Sequence, residues 1–283
     1  MSSDFLQQMA ASSRDRVQQA RHAVSDAALW DLALATPSPP ALRRHPEGFD
    51  LIAELKLRSP AMGQLKSGDE DVAARVTAYA QAGAAAVSIL TEPSRFDGTL
   101  AHLKMGARAL VPARVPAMRK DFLVDPYQVL EARVAGAGGV LVILRMLPRQ
   151  EIDALLARAH ELGLFVLLEA FDEHDIELMH DLVAAHPKAV LLVGVNCRDL
   201  ETLQVVPNRL EQLVPLLPTS APRVAESGVG SAEDARRVAA AGYDLALVGS
   251  ALMQGGDPRV LAGAMLAAGR GARRAGGSAQ RVG

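Results

Sequence analysis

Short apolar runs recur along the chain. They begin near Leu51 (LIAEL), Ala86 (AVSIL), Pro116 (PAMRK), Val140 (VLVIL), Leu164 (LFVLLE), Val190 (VLLVGVN), Pro222 (PRVAES) and Leu245 (LALVG). Stretches at 71–82, 126–136, 149–162, 172–185 and 231–241 place apolar residues three and four apart, the spacing of an amphipathic helix. A run with little polar alternation is what a parallel strand buried on both faces requires. An open doubly wound sheet would alternate in the same way. Eight strand-helix units in series, with no linker, favour closure instead. The predicted fold is therefore α/β, a (β/α)8 TIM barrel over residues 50–268 with an N-terminal helical extension at 1–49. That extension reads as a helix over about 4–24 followed by the turn-rich TPSPPALRRHPEG. Residues 269–283, GRGARRAGGSAQRVG, show no core-forming pattern and are expected to be a flexible tail.

Composition narrows the class. Of 283 residues, 49% are hydrophobic, 22% charged and only 4% aromatic, with a net charge of −2. This is enough apolar material for a sizeable core, and it gives no basic footprint for nucleic acid or an anionic membrane. One cysteine, Cys197, excludes an intrachain disulfide. No apolar run is long enough to span a bilayer, and the amino terminus lacks the apolar segment of a secretory signal. The expectation is a soluble cytoplasmic protein.

Polar residues gather at the carboxyl ends of the predicted strands, where a barrel of this kind places its chemistry. In chain order they are Glu54 and Lys56, Glu92, Lys120, Arg145, Glu169, Asn196, Glu226 with Ser227, and Gly249 with Ser250. A single one is as readily a rim salt bridge. Convergence of several at one mouth points to function, because confined charges lose hydration. Glu54 and Lys56 share one face of their strand, and Leu51, Ala53 and Leu55 share the other. Two segments read as phosphate cradles: SGVGSAED (227–234) after the seventh strand and GSALMQGG (249–256) after the eighth. Other motifs fail. AGAGG (135–139) precedes a strand, so it is no dinucleotide fingerprint. His174, His180 and His186 fall six apart, and there is no HExxH. Cys197 reads as a core or rim residue. No metal, flavin or pyridoxal cofactor is called for.

Seven segments in order, IAELKLRSP, ILTEPSRFDG, RKDFLVDPYQ, LLEAFDEHD, VGVNCRDLET, VAESGV and VGSALM, resemble indole-3-glycerol phosphate synthases. The resemblance runs from the amino-terminal helix to about residue 268. It implies a decarboxylating ring closure of 1-(2-carboxyphenylamino)-1-deoxyribulose 5-phosphate to indole-3-glycerol phosphate, CO2 and water, a carboxy-lyase step of tryptophan biosynthesis. The matching residues imply Lys120 as the acid for ring closure, Lys56 as a second acid or partner of the substrate carboxylate, and Glu169 as base. Glu54 and Glu226 would hold the lysines and sugar hydroxyls, with Asn196 and Ser227 hydrogen-bonding nearby. Phosphate would lie against Ser59, Arg198, Gly228, Gly249 and Ser250, and the aryl ring against Phe96, Phe122, Leu141 and Leu200.

Two segments depart from the family pattern. The loop usually reading SPSKG is SPAMG here, with Ala61 and Met62 in place of a serine and a lysine that the family uses in ring closure. A Val-His pair after the fifth strand is replaced by Ala170 and Phe171. These leave open a sister enzyme acting on a modified aryl-aminoketose phosphate or on indoleglycerol phosphate. A silent binding barrel is disfavoured by the retained acid-base set.

Overall fold

In the computed structural model, which describes residues 2–65, 70–200, 202–254 and 256–279, eight parallel strands close into a barrel. They are β1 (Asp50–Leu55), β2 (Ala86–Leu90), β3 (Ala117–Lys120), β4 (Gly139–Ile143), β5 (Phe165–Ala170), β6 (Leu191–Asn196), β7 (Arg223–Glu226) and β8 (Leu245–Val248). Each pairs with its neighbours in sequence, and β1 joins β8 through Asp50–Ala53 against Leu245–Val248. Every residue of β1, β2, β4, β5, β6 and β8 is buried. That is why these strands read as apolar runs.

Alternation along each strand divides the core in two. Leu51, Ala53 and Leu55 join the layer beneath the helices, while Ile52 joins the barrel interior with Met118, Leu141, Leu167, Leu192, Val224 and Leu247. The helices expected at 71–82, 126–136, 149–162, 172–185 and 231–241 are α3 (Val72–Gln81), α6 (Pro126–Val134), α7 (Arg149–Glu161), α8 (Glu173–Ala185) and α10 (Ala232–Ala241). Asp71, Asp125, Asp172 and Ser231 cap four of them with side-chain oxygens.

The extension holds α1 (Ser2–Ala23) and a second helix, α2 (Asp26–Ala35), which lies between the expected helix and the turn-rich stretch and which the sequence reading does not assign. Ser25 starts α2 by accepting from the Ala28 N–H. Further helices fill the circuit: α4 (Pro93–Phe96), α5 (Leu100–Leu110), α9 (Arg209–Leu213), α11 (Ser250–Gln254) and α12 (Pro258–Ala279). The expected fraying from residue 269 is corrected in the described part of the tail. Helix α12 continues to Ala279, Arg270 donates to Asp50 at 3.1 Å, and Arg273 pairs with Asp244. Arginines that look like a charged tail in one dimension neutralise carboxylates at the amino ends of β1 and β8. Arg281 lies outside the described residues. No helix among the described residues is long and apolar enough to cross a membrane.

Candidate active site

The carboxyl ends of the strands open into one cavity of about 460 Å³. All of Glu54, Lys56, Lys120, Glu169, Asn196, Glu226 and Ser227 line it, as do Ser59, Arg198, Gly228, Gly249 and Ser250, and Phe96, Phe122, Leu141 and Leu200. Strand parity explains the selection. Lys120 turns inward at the end of β3, whereas Arg119 before it does not reach the cavity and pairs at 3.0 Å with Asp121, whose buried side chain borders the mouth.

Two ion pairs organise the charged floor. Lys56 lies 2.7 Å from Glu54, and Lys120 lies 3.1 Å from Glu169 and 3.9 Å from Glu226. Burial opposes a charged Lys120, but Glu169, Glu226 and Glu54 outweigh it and hold the ammonium well above its ordinary pKa. Burial likewise opposes an ionised Glu54, yet Lys56 and Lys120 leave its carboxyl below the usual range. Glu226 goes the other way, because burial and the adjacent Glu169 both push its pKa up.

Glycines make room for this floor. A Cβ on Gly249 would sit 2.3 Å from Glu54 Oε1 and 3.1 Å from Lys56 Nζ, so no side chain fits beside that pair. At the β7 turn, Ser227 and Gly228 take consecutive positive φ values of 65° and 68°. A left-handed non-glycine residue costs free energy and is found at sites that need its geometry. Arg198 is fixed by donating to the Leu203 carbonyl at 2.6 Å, while its N–H donates to Asn196 Oδ1 at 3.0 Å.

Across the mouth, Phe122 meets Phe5 edge-on with centroids 5.9 Å apart and lies 6.2 Å from Phe96. Phe5 is a lining residue that the strand-end search missed, since it comes from α1. Its signal was the helical spacing of Leu6, Met9, Ser13 and Val17, all buried. Leu203 and Val205, from the loop after β6, were also missed. Met62 of the SPAMG loop lines the cavity and is half exposed, on a hairpin that pairs Arg58–Ser59 with Gly63–Gln64.

Two strand-end residues do not join the site. Glu92 caps α4, accepting from the Ser94 and Arg95 N–H groups at 2.9 and 2.7 Å. Arg145 pairs with Asp172 and Asp175 and stacks over Phe171, 4.6 Å from the ring centroid. Both are committed to local structure, Glu92 to a helix N-terminus and Arg145 to two carboxylates, and neither lines the cavity. His174 is solvated, whereas His180 meets the Leu216 carbonyl and His186 meets Asp153, both at 2.8 Å. Cys197 is buried and free.

Comparison with known proteins agrees with this arrangement. The family model described as indole-3-glycerol phosphate synthase matches residues 6–263. The chain is 39% identical over 264 residues to the indole-3-glycerol phosphate synthase of Opitutus terrae, covering 91% of this chain and 97% of that one. It is 43% identical over 219 residues to the synthase of a Parafrankia species, covering 77% and 78%. Among solved structures, the 3-hexulose-6-phosphate synthase of Salmonella typhimurium shares the barrel alone, with a TM-score of 0.59 at 16% identity over 79% of this chain and 99% of that one. The match across the barrel and its amino-terminal extension shows that the chain belongs to the indole-3-glycerol phosphate synthase family.

Proposed function

We propose that the chain converts 1-(2-carboxyphenylamino)-1-deoxyribulose 5-phosphate to indole-3-glycerol phosphate, CO2 and water, as a carboxy-lyase of tryptophan biosynthesis. One observation carries the site-level reading. The Lys120–Glu169 pair lines the same cavity as an aromatic wall beside β3 and glycine turns after β7 and β8, and in a closed eight-strand ring β7 lies opposite β3. A substrate with an aryl ring at one end and a phosphate at the other would place its reacting carbons over that pair.

The aryl carbon bearing the carboxylate attacks the ketone carbon, and Lys120 gives a proton to the ketone oxygen. Loss of CO2 returns the electron pair to the ring. The new hydroxyl then leaves as water while Glu169 takes a proton from the adjacent ring methylene, which completes the pyrrole. Lys56 serves as second acid or as partner of the substrate carboxylate, supported by its place beside Glu54. Asn196 and Ser227 hydrogen-bond near the sugar chain. Arg198, Ser59, Ser250 and the backbone at Gly228 and Gly249 hold the phosphate. Phe96, Phe122, Leu141 and Leu200 hold the aryl ring, with Phe5 closing it from α1. A cytoplasmic location belongs to the same proposal and is supported by a buried, unpaired Cys197.

The test is a fluorescence assay for indole product, with Lys120→Ala as comparison. A well-placed acid contributes about 10²–10⁴ in rate. Turnover that falls by at least that much in a folded Lys120→Ala protein supports the reading. A folded wild-type protein that leaves this substrate unchanged refutes it, and substituted anthranilate analogues then test the sister-enzyme alternative raised by Met62 and Phe171.

A further inference from the structure

At the strand ends three carboxyl groups, Glu54, Glu169 and Glu226, face two ammonium groups, Lys56 and Lys120, while the Arg198 guanidinium, which also lines the cavity, is held by the Leu203 carbonyl at 2.6 Å. Lys56 is committed to Glu54 at 2.7 Å and Lys120 to Glu169 at 3.1 Å. Glu226 is left over. Its side chain is 2% exposed, Lys120 Nζ stands off at 3.9 Å, and no N–H or O–H of the described residues donates to either of its oxygens. A buried carboxylate without a cation or a donor is costly, and the low-energy answer is to take up a proton.

The position of the carboxyl group is built. Gly194 on β6 is in register with Glu169 on β5, and β6 lies between β5 and β7. A Cβ on Gly194 would fall 2.3 Å from Glu226 Oε1 and 3.0 Å from Leu167 Cδ1. The missing side chain therefore opens a socket through which Glu226 reaches across β6 to within hydrogen-bonding range of Glu169. Two carboxyl groups at that range can bond only if one of them carries hydrogen. The groups facing Glu226 are Glu169 from β5, Lys120 from β3 and Glu54 from β1. The net of those three is acidic, which favours keeping the proton.

We propose that the active site stores one proton on Glu226, held against Glu169 in the socket of Gly194, and that Glu226 is the acid of the dehydration step. This rests on the ring-closure reading above and settles its second acid. The hydroxyl leaves with the Glu226 proton as its carbon-oxygen bond breaks, and Glu169 receives the proton lost from the ring methylene. The pair holds one proton before and after, and transfer from Glu169 back to Glu226 resets it. Lys56 then remains with Glu54 to meet the substrate carboxylate. Gly194 is a positioning residue that touches no substrate.

The test uses the full-length protein carrying carboxyl-¹³C glutamate, without substrate, so the location of the proton is read independently of which reaction the enzyme performs. Infrared and NMR spectra between about pH 5 and about pH 8 span the range over which an ordinary glutamate is already ionised. The expected result is one protonated glutamate at neutral pH that disappears in Glu226→Gln. Absence of a protonated glutamate, or its persistence in Glu226→Gln, overturns the proposal. For the socket, Gly194→Ala is expected to lower kcat about 10²-fold, the low end for a displaced acid, with KM little changed. Glu226→Asp shortens the side chain, so Gly194→Ala in that background should be no slower than Glu226→Asp alone. A double variant slowed by the full product of the two single effects overturns the steric role.

Discussion

Helix α1 grips the segment that follows Lys120, and Arg16→Met should show how firmly. Arg16 donates to both oxygens of Asp121, at 3.0 and 2.8 Å, and Asp121 also accepts from Thr91 at 2.7 Å and from the Phe122 N–H at 2.9 Å. Ser13 and Gln128 extend the network to the Phe122 carbonyl and the Val124 N–H. The Asp121 side chain is wholly buried, while that of Arg16 is 26% exposed. Removing one partner of a buried pair costs about 3–5 kcal/mol. Arg119 remains beside Asp121 and the Arg16 head is partly solvated, so we expect about 2 kcal/mol. In a chain of this size that lowers Tm by about 3–4 °C. Arg14→Met is the comparison, since the Arg14–Glu151 pair spans 3.4 Å with both side chains over 40% exposed. It should cost under about 1 kcal/mol. Thermal unfolding followed by circular dichroism measures both. Equal shifts for the two variants would refute the reasoning. pH supplies a sign: burial opposes ionisation of Asp121, but Arg119 and Arg16 hold its carboxyl well below the ordinary value. The stabilisation is present above the unfolded aspartate pKa of about 3.9 and is lost as pH falls through the lower folded value, so the Arg16→Met penalty should fade in strong acid.

Two further outcomes follow from the geometry. Gly249→Ala should displace the Glu54–Lys56 pair and lower kcat by about 10²-fold in steady-state assays, while Gly263→Ala, with nothing within 4 Å of the added Cβ, leaves kcat unchanged. Arg145→Met strands the buried Asp175 carboxylate and should cost about 2–4 kcal/mol in urea unfolding with kcat and KM little altered; a large loss of kcat at full stability would return Arg145 to the active site.

Much of this protein is legible in its sequence because the barrel repeats one physical requirement eight times. Strands buried on both faces must be apolar runs, and covering helices must be amphipathic, so β1 through β8 and most outer helices announce themselves locally. Side-chain parity places Glu54 and Lys56 opposite Leu51, Ala53 and Leu55 without any structure. Tertiary structure alone decided which charges meet. Lys120 ends β3 and Arg145 follows β4, yet one turns to Glu169 in the mouth and the other to Asp172 and Asp175 outside it. Arg270 reads as part of a frayed tail until Asp50 is seen 3.1 Å away. Gly194 looks like a weak point in a strand until the Glu226 carboxyl is found in the space of its missing Cβ. Local periodicity records burial, which each residue feels through its own strand or helix. Pairing energy depends on distances between residues far apart in the chain, and those exist only once the barrel closes.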